Sequence, residues 1–517
     1  MRTHSDRSSS MEVSGRNLRP TPWLAALVAC AAALALHACG GGGVGSNGTG
    51  AAPEGSSAGT VTGFGSVIVD GVRFDDSMVV ATRDDASGTS AAAELKLGQH
   101  VELGYDNDGQ GNHTARSVSI APSLIGPVSA VSATTLTVLR QVVQVNTDPA
   151  IGPVTLFEAP YAALADIKSG DWVEIHAVSQ SAGSAGAPNW LATRIEPISA
   201  QSSVRVSGRA TAISTTGQRS FKLGALTVQT SGQTVWSAGT SLVEGQSVVV
   251  FAPLSAYQAG AATLSAQRVR VLSRDSQANA AADYLAGWVS DLTNSNGLLS
   301  FVVDGVQVTY SGSAVAGLTN GVYALVQGQL SKDGDQITAA SVVLRYAGTQ
   351  AIESAELHGT VIGWDASTRR FKVRDVTIDA SALLPRSSKL DLSKCVSNDL
   401  ADDLYLDIKG QNTAYGVRAT SITCTSQDSG NVSGEVVEFS GSLSALKAAS
   451  RTFTLTTAKD GAITVRWTGS STYFRGPLTQ DGANLANYAS QTLQVEGSFT
   501  GTGASKVLRA TKIKLKS

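Results

Sequence analysis

The chain has 517 residues, is 42% hydrophobic but only 6% aromatic and 15% charged, and carries a formal net charge of −2. Its length exceeds what one hydrophobic core usually needs, so several domains are expected. Low charge, 53 glycines and recurrent Val-x-Val alternation exclude a disordered chain and favour β-structure over helices.

The N-terminus reads as an export signal. Arg2, Arg7, Arg16 and Arg19 precede the apolar run "WLAALVACAAALALHA" (Trp23–Ala38), after which comes "CGGGGVGSNGTGAAPEGSSAG". A basic region, an apolar region and a small residue before the break form a secretory signal. The run is shorter than the roughly 20 residues needed to span a bilayer. Met11 offers an alternative start with a shorter signal.

The break falls at a cysteine. "LHAC" (Leu36–Cys39) resembles the lipobox of bacterial lipoproteins. "LVAC" (Leu27–Cys30) also fits those letters, but cleavage there would leave "AAALALHA" on the mature chain. Residues 1–38 are therefore expected to be a lipoprotein signal peptide, Cys39 the lipidation site, and residues 39–58 a lipidated Gly/Ser-rich tether. The resemblance implies a diacylated Cys39 thiol and cleavage just before it. Two or more acyl chains give stable anchoring where one is marginal. Gly40, not Asp, follows the cysteine, and by that family's sorting rule this implies the outer membrane. Removing residues 1–38 takes away four arginines and two acids, leaving 35 basic against 39 acidic residues and a net charge of −4. That charge gives no electrostatic reason to expect nucleic acid as a partner.

Beyond the tether the chain repeats itself. "GTVTGF" (Gly59–Phe64) returns as "GTVIGW" (Gly359–Trp364) and "GEVVEF" (Gly434–Phe439), with weaker copies from Gly126, Gly208 and Gly287. A hairpin block follows: "SVIVDGVRF" (Ser66–Phe74) matches "SFVVDGVQV" (Ser300–Val308). "LKLGQHVEL" (Leu95–Leu103) recurs as "IKSGDWVEI", "LVEGQSVVV" and "LTNGVYALV", and each unit closes on a strand such as "TARSVSI" or "LRATKIKL". Six units result, at 59–122, 124–200 (divergent), 204–273 (divergent), 284–347, 355–426 and 430–517. Each holds about five strand signals. The expected fold is all-β: a tandem array of about six small five-stranded barrels of oligonucleotide/oligosaccharide-binding (OB) type. Gly71 and Gly305, each after Asp, are read as turn glycines of two-residue hairpins rather than as a phosphate cradle.

The G-x-V-x-G-[FW] start, the "[FV]-x-V-[DN]-G" hairpin and the "L-x-x-G-x-x-V-x-V" block resemble a repeat family of unknown function found in proteobacterial secreted proteins and lipoproteins. The resemblance implies no activity, cofactor or catalytic residue.

The constellations that could carry chemistry are weak. Phe64, Trp364 and Phe439 share one repeat position, but Val131, Ile213 and Leu292 stand there in the other units, which marks a core position rather than a stacking platform. "YDNDGQGNH" (Tyr105–His113) resembles the start of a calcium loop through Asp106, Asp108 and Gly111. It has Ser117 where such loops use a bidentate Glu, and so reads as a hairpin tip; "SKDGDQ" (Ser331–Gln336) reads likewise. His100, His113, His176 and His358 show no metal-ligand spacing. "GSSAG" (Gly55–Gly59) fits the letters of a hydrolase elbow, and "GGGGVG" (Gly40–Gly45) those of a dinucleotide fingerprint. Both are read as chance matches within the tether. Asp399, Asp402, Asp403 and Asp407 read as a solvated face, since no histidine accompanies them. Cys395 and Cys424, the remaining cysteines of an exported chain, are expected to form a disulfide. In the closing "LRATKIKLKS", Leu508, Ala510, Ile513 and Leu515 are expected inside the barrel, with Lys512, Lys514 and Lys516 in solvent.

The function expected is that of a cell-envelope lipoprotein without enzymatic activity, a binding or structural scaffold with no catalytic residue, metal or cofactor. Its partners would be the membrane, through the lipid anchor, and an envelope polysaccharide or protein. The alternative is a polysaccharide-acting enzyme with its site between repeats.

Overall fold

A computed structural model describes residues 55–516 apart from 109–111, 181–188, 218, 237–241, 272–282, 332–334, 346–354, 386, 396–397, 403, 425–435, 459, 470 and 502–505. The signal, Cys30, Cys39 and "GGGGVG" lie outside the described residues. The protein is all-β, and among the described residues its strands pair into sheets made of barrel-like units that succeed one another along the chain.

The last barrel shows the circuit. Val436–Lys447 runs antiparallel to both Thr452–Thr457 and Thr492–Thr500. Thr452–Thr457 pairs with Gly461–Arg466, which lies parallel to Val507–Leu515. Val507–Leu515 pairs back onto Thr492–Thr500. The ring thus closes in the order first, second, third, fifth, fourth strand, the connectivity of an OB barrel. The second barrel closes the same way through Leu124–Val131, Thr135–Val138, Gln141–Val145, Trp190–Pro197 and Trp172–Ser179. The barrels within residues 283–345 and 355–424 follow the same plan, that within 55–120 closes through a bridge between Asp75 and Thr114, and the strands within 203–271 divide between two sheets.

Period-two alternation fills each barrel. Phe453, Leu455, Val465, Leu508, Ala510 and Ile513 are essentially fully buried in the last one. Leu508 and Ala510 keep step, and Ile513 falls one residue out of step. A bulge between Glu496 and Gly497 leaves Thr511 unopposed and returns Ile513 to the interior. A bulge stands at the equivalent place in four other barrels, after Gly104, His176, Gln327 and Lys409. It supplies the extra bend that a narrow barrel needs. The hairpin glycines do what Asp-Gly turns require: Asp70 and Gly71 have φ of 47° and 84°, Asp304 and Gly305 45° and 78°, the left-handed pair of a type I′ turn.

The barrels are not beads on a string. Gly55–Phe64, buried along its whole length, pairs in parallel with Asp283–Trp288 of the fourth barrel and with Ala355–Thr360 of the fifth. At the second pairing a Cβ on Gly63 would collide with the carbonyl of Glu356. Leu124–Val131 and Ser203–Arg209 pair between the second and third barrels too, but antiparallel. Barrels one and five share one hydrophobic core, barrels two and three another.

Two expectations need correction. The first barrel begins at Gly55, inside the expected tether, so "GSSAG" belongs to a buried strand. Strand follows it, not the helix of a hydrolase elbow. Its Ser56 donates from backbone N and Oγ to Asp283 at 2.7 and 3.0 Å. Of the C-terminal lysines, Lys516 is exposed but Lys514 is buried and Lys512 nearly so. The outer face of the last barrel is covered by barrels one and five, and both lysines end in carboxylates there.

Candidate functional site

A cavity of about 770 Å³ opens where the first four barrels meet. That size lies within the roughly 300–1,000 Å³ of small-molecule sites. All four barrels contribute to the wall. On His100–Asn107, Val101 and Leu103 point into barrel one, so His100 and Glu102 point out of it. On Ser203–Arg209, Val204 and Val206 point into barrel three, and Arg205 points out. Trp190 opens a strand of barrel two and Trp288 ends one of barrel four. The Asp304–Gly305 turn completes the wall, close to Ser247 and Arg209 of barrel three. A turn glycine by sequence thus also shapes a cavity.

Charge inside this junction is strongly organised. Arg270 grips Glu102 with both terminal nitrogens, at 3.0 and 3.3 Å. Burial works to raise the Glu102 carboxyl, but Arg270, with Arg205 and His100 behind it, holds it at about 2. Arg205 is 2% exposed and sits 5.3 Å from the Phe251 ring centroid. Burial, then the neighbouring Arg270, pull its pKa down to about 9. Burial also lowers His100, which keeps it neutral at pH 7. Glu244 accepts the backbone N–H of Ala212 at 2.9 Å. Gln141 is tied to Leu223 O at 2.9 Å and to Asn189 at 2.7 Å.

Of the described residues at the cavity wall, four have a buried nitrogen without a hydrogen-bond partner: His100 Nδ1, Trp190 Nε1, Arg205 Nε and Trp288 Nε1. Each belongs to a different barrel, and all four residues line the cavity. Trp288 is braced edge-on against Tyr323 at 5.5 Å, whose hydroxyl donates to buried Asp70 at 3.0 Å.

A second cavity, of about 430 Å³, lies between barrels one, two, five and six. Its walls are ion pairs: Lys96 with Glu196 (2.9 Å), Arg475 with Asp375 (2.9 Å), and Arg194 with Glu158 and Glu196.

The histidines take varied places. His176 is fully buried; its Nδ1 accepts the backbone N–H of His100 at 3.1 Å, which leaves Nε2 to donate to Glu174 at 3.1 Å. His113 packs in a ring cluster with Phe74, Tyr105 and Tyr284. His358 corrects the reading of the acidic run, because strand pairing sets it directly opposite Asp407. Glu356, His358 and Asp407 each offer one ligand atom within 4.8 Å of the others, a set whose chemistry fits a divalent cation. A cationic group already stands there: Arg73 Nη2 lies 2.9 Å from Glu356 Oε1 and 2.7 Å from His358 Nε2. Glu356 and His358 stand two apart on one strand, a spacing the sequence shows, but Asp407 joins them only through strand pairing and Arg73 only through the packing of barrel one on barrel five.

The other singled-out residues fall as follows. Cys395 and Cys424 are joined by a disulfide, their Cα atoms 5.6 Å apart. Phe64 and Phe439 are buried, and Trp364, Val131, Ile213 and Leu292 pack partly buried against the cores. Asp106 pairs with Arg116, and Asp108 accepts from Asn112, within the hairpin tip. Asp402 accepts the backbone N–H of Trp364 at 2.7 Å. Asp403 and Gly111 lie outside the described residues.

Residues 125–196, the second barrel almost exactly as its strands delimit it, match a family described as "Domain of unknown function (DUF5666)". No curated protein matches the chain. Among solved structures, Unr CSD456 of Drosophila is 12% identical over 46% of this chain and 99% of its own, with a TM-score of 0.13. The single-stranded DNA binding protein of Thermus aquaticus is 14% identical over 44% and 93%, with a TM-score of 0.11. A multidomain protein with nucleic acid binding domains from Streptococcus pneumoniae is 12% identical over 46% and 73%, also at 0.11. The expectation of no nucleic-acid partner does not stand beside these proteins. Its physical weakness is that a net charge of −4 averages over the whole surface and does not describe any one face. TM-scores this low assign no ligand to the chain.

Proposed function

We propose that this protein is a non-enzymatic binding protein of the cell envelope, held at the outer membrane by acyl chains on Cys39. Its ligand site is the cavity between the first four barrels. The observation that carries this reading is a cavity of ligand size walled by residues of four barrels, among them His100, Arg205 and Trp288. Binding is favoured over catalysis because the acids best placed for proton transfer are already engaged: Glu102 by Arg270 and Glu244 by backbone.

Two measurements test the reading. Membrane fractionation with acyl-chain mass spectrometry should find the wild type lipidated at Cys39 and the Cys39→Ser variant unlipidated. Lipid on Cys30 would move the anchor. Native mass spectrometry of the exported Cys39→Ser protein should show a small molecule that the Trp190→Ala/Trp288→Ala variant does not retain. Equal retention by both would place the ligand elsewhere.

A further inference from the structure

We infer that Glu356, His358 and Asp407, on the outer face of barrel five where it meets barrel one, form a site for a divalent cation of the zinc class, and that the Arg73 guanidinium competes for that site. The site is separate from the cavity between the first four barrels and does not depend on it.

The backbone brings the three ligands together. Ala355–Thr360 and Tyr405–Thr413 are antiparallel neighbours, in a register that sets His358 opposite Asp407. Leu357, Leu406 and Ile408 fill the barrel, so Glu356, His358 and Asp407 leave it on the other face. Their tips converge. His358 Nε2 lies 2.8 Å from Glu356 Oε1 and 3.8 Å from Asp407 Oδ1. Two ligands held by one zinc ion at right to tetrahedral angles stand about 3.0–3.4 Å apart. Small side-chain rotations therefore suffice to bring this set into one coordination sphere.

The cluster does not satisfy itself. Nε2 of an imidazole carries either a hydrogen or a lone pair. Here it faces an acceptor, Glu356 Oε1 at 2.8 Å, and a donor, Arg73 Nη2 at 2.7 Å. With a hydrogen it opposes the guanidinium; with a lone pair it opposes the carboxylate. In either state one contact joins like groups. Asp407 Oδ1, in addition, is closed to solvent and accepts no hydrogen bond. A cation among the three atoms resolves both conflicts: it takes the Nε2 lone pair and one oxygen from each acid, and the two carboxylates balance its charge. The imidazole selects a zinc-class ion over calcium or magnesium, which take oxygen ligands.

The ligand ring is fixed, whereas its competitor is not. His358 is 8% exposed and lies against Gly65 of barrel one, where a Cβ would come within 2.8 Å of ring carbons Cγ and Cδ2. Arg73 is exposed, and exposed ion pairs are weak. Its guanidinium can leave for water when a cation arrives. Glu356 and Asp407 are partly exposed, which gives water access to the remaining coordination positions.

The test uses the exported full-length Cys39→Ser protein, untagged and stripped of metal by a chelator. Zn²⁺, Mg²⁺ and Ca²⁺ are titrated by calorimetry, and melting temperature is followed with and without Zn²⁺. Zn²⁺ should bind and raise the melting temperature. His358→Ala and Asp407→Asn should each weaken Zn²⁺ by about a hundredfold or more, since loss of an outer-shell partner alone costs up to about that. Asp407→Asn keeps the side-chain shape, so it serves if His358→Ala folds poorly. Arg73→Ala should tighten Zn²⁺ about tenfold, the factor expected if the guanidinium holds the site about nine-tenths of the time. An arginine with a purely structural role would leave that affinity unchanged, and this outcome would overturn the competition. Zn²⁺ binding that survives Asp407→Asn would place the ion elsewhere and overturn the site. Tighter binding of Mg²⁺ or Ca²⁺ would overturn the class of ion. Failure of both the parent protein and Arg73→Ala to bind Zn²⁺ would overturn the inference.

Discussion

Lys512 Nζ lies 2.6 Å from Glu94 Oε1, an ion pair that ties the last strand of the chain to a loop of the first barrel. The same ammonium reaches Glu496 at 3.0 Å and Asp375 at 3.1 Å. Its side chain is 13% exposed and that of Glu94 12%. Removing one member of a buried charge group leaves its partners uncompensated, typically at about 3–5 kcal/mol. Lys512→Gln should therefore destabilise the full chain by an amount of that order. Lys516→Gln, at an exposed position, should stay within about 0.5 kcal/mol. Urea unfolding of both variants checks this; equal midpoints would mean that the charge cluster contributes nothing.

Glu438 gives the protein a predictable pH dependence. It is 1% exposed; Gln494 donates to one carboxyl oxygen, and the other has no partner. Burial first, and the neighbouring Glu496 second, raise its pKa to about 8 from an ordinary 4.5. Its contribution to stability is fully present below the unfolded value, where both states hold the proton. Between the two values the unfolded chain has released its proton and the folded chain has not, so stability falls as pH rises. Glu438→Gln, which cannot ionise, should gain on the wild type steadily from about pH 5 to about pH 8. Chemical denaturation across that range measures the difference; parallel curves would show that Glu438 does not carry the buried proton.

Gly63 tests whether barrels one and five unfold together. Its backbone approaches Glu356 too closely for a Cβ. Gly63→Ala should cost about 1–3 kcal/mol through overpacking and open the junction to limited proteolysis. Gly232 has open space around the position of a Cβ. Gly232→Ala should be neutral or stabilising by up to about 1 kcal/mol. If both variants melt alike, the parallel strand pairing is not a structural joint.

The disulfide between Cys395 and Cys424 spans 29 residues. Non-reducing peptide mapping of exported protein should recover the joined peptides. Replacing both cysteines by serine should cost roughly 3 kcal/mol in the chain-entropy model. Free thiols at both positions, trapped by alkylation of unfolded protein, would remove the bridge.

Arg73 fills the space among Glu356, His358 and Asp407 from a side chain that is 46% exposed. Exposed pairs contribute little, so Arg73→Ala should change stability by no more than about 1 kcal/mol. A larger loss in thermal unfolding would assign the pair a true joining role between barrels.

What was legible in the sequence was the inside of each barrel. Val101 and Leu103, Val204 and Val206, or Phe453 and Leu455 alternate because every second side chain of a strand must enter the core. Asp70–Gly71 and Asp304–Gly305 announce their turns because only such residues adopt that backbone readily. What lay on the outside was decided by tertiary structure alone. A strand's outer face is polar whether water or another barrel covers it, so Lys512 and Lys514 read as solvated although they end in carboxylates of barrels one and five. Asp407 read as unaccompanied although His358, 49 residues earlier in the chain, is its partner across the sheet. The cavity was invisible for the same reason. Alternation says which side chains leave a barrel, and only the packing of four barrels says that His100, Arg205 and Trp288 leave toward one cavity.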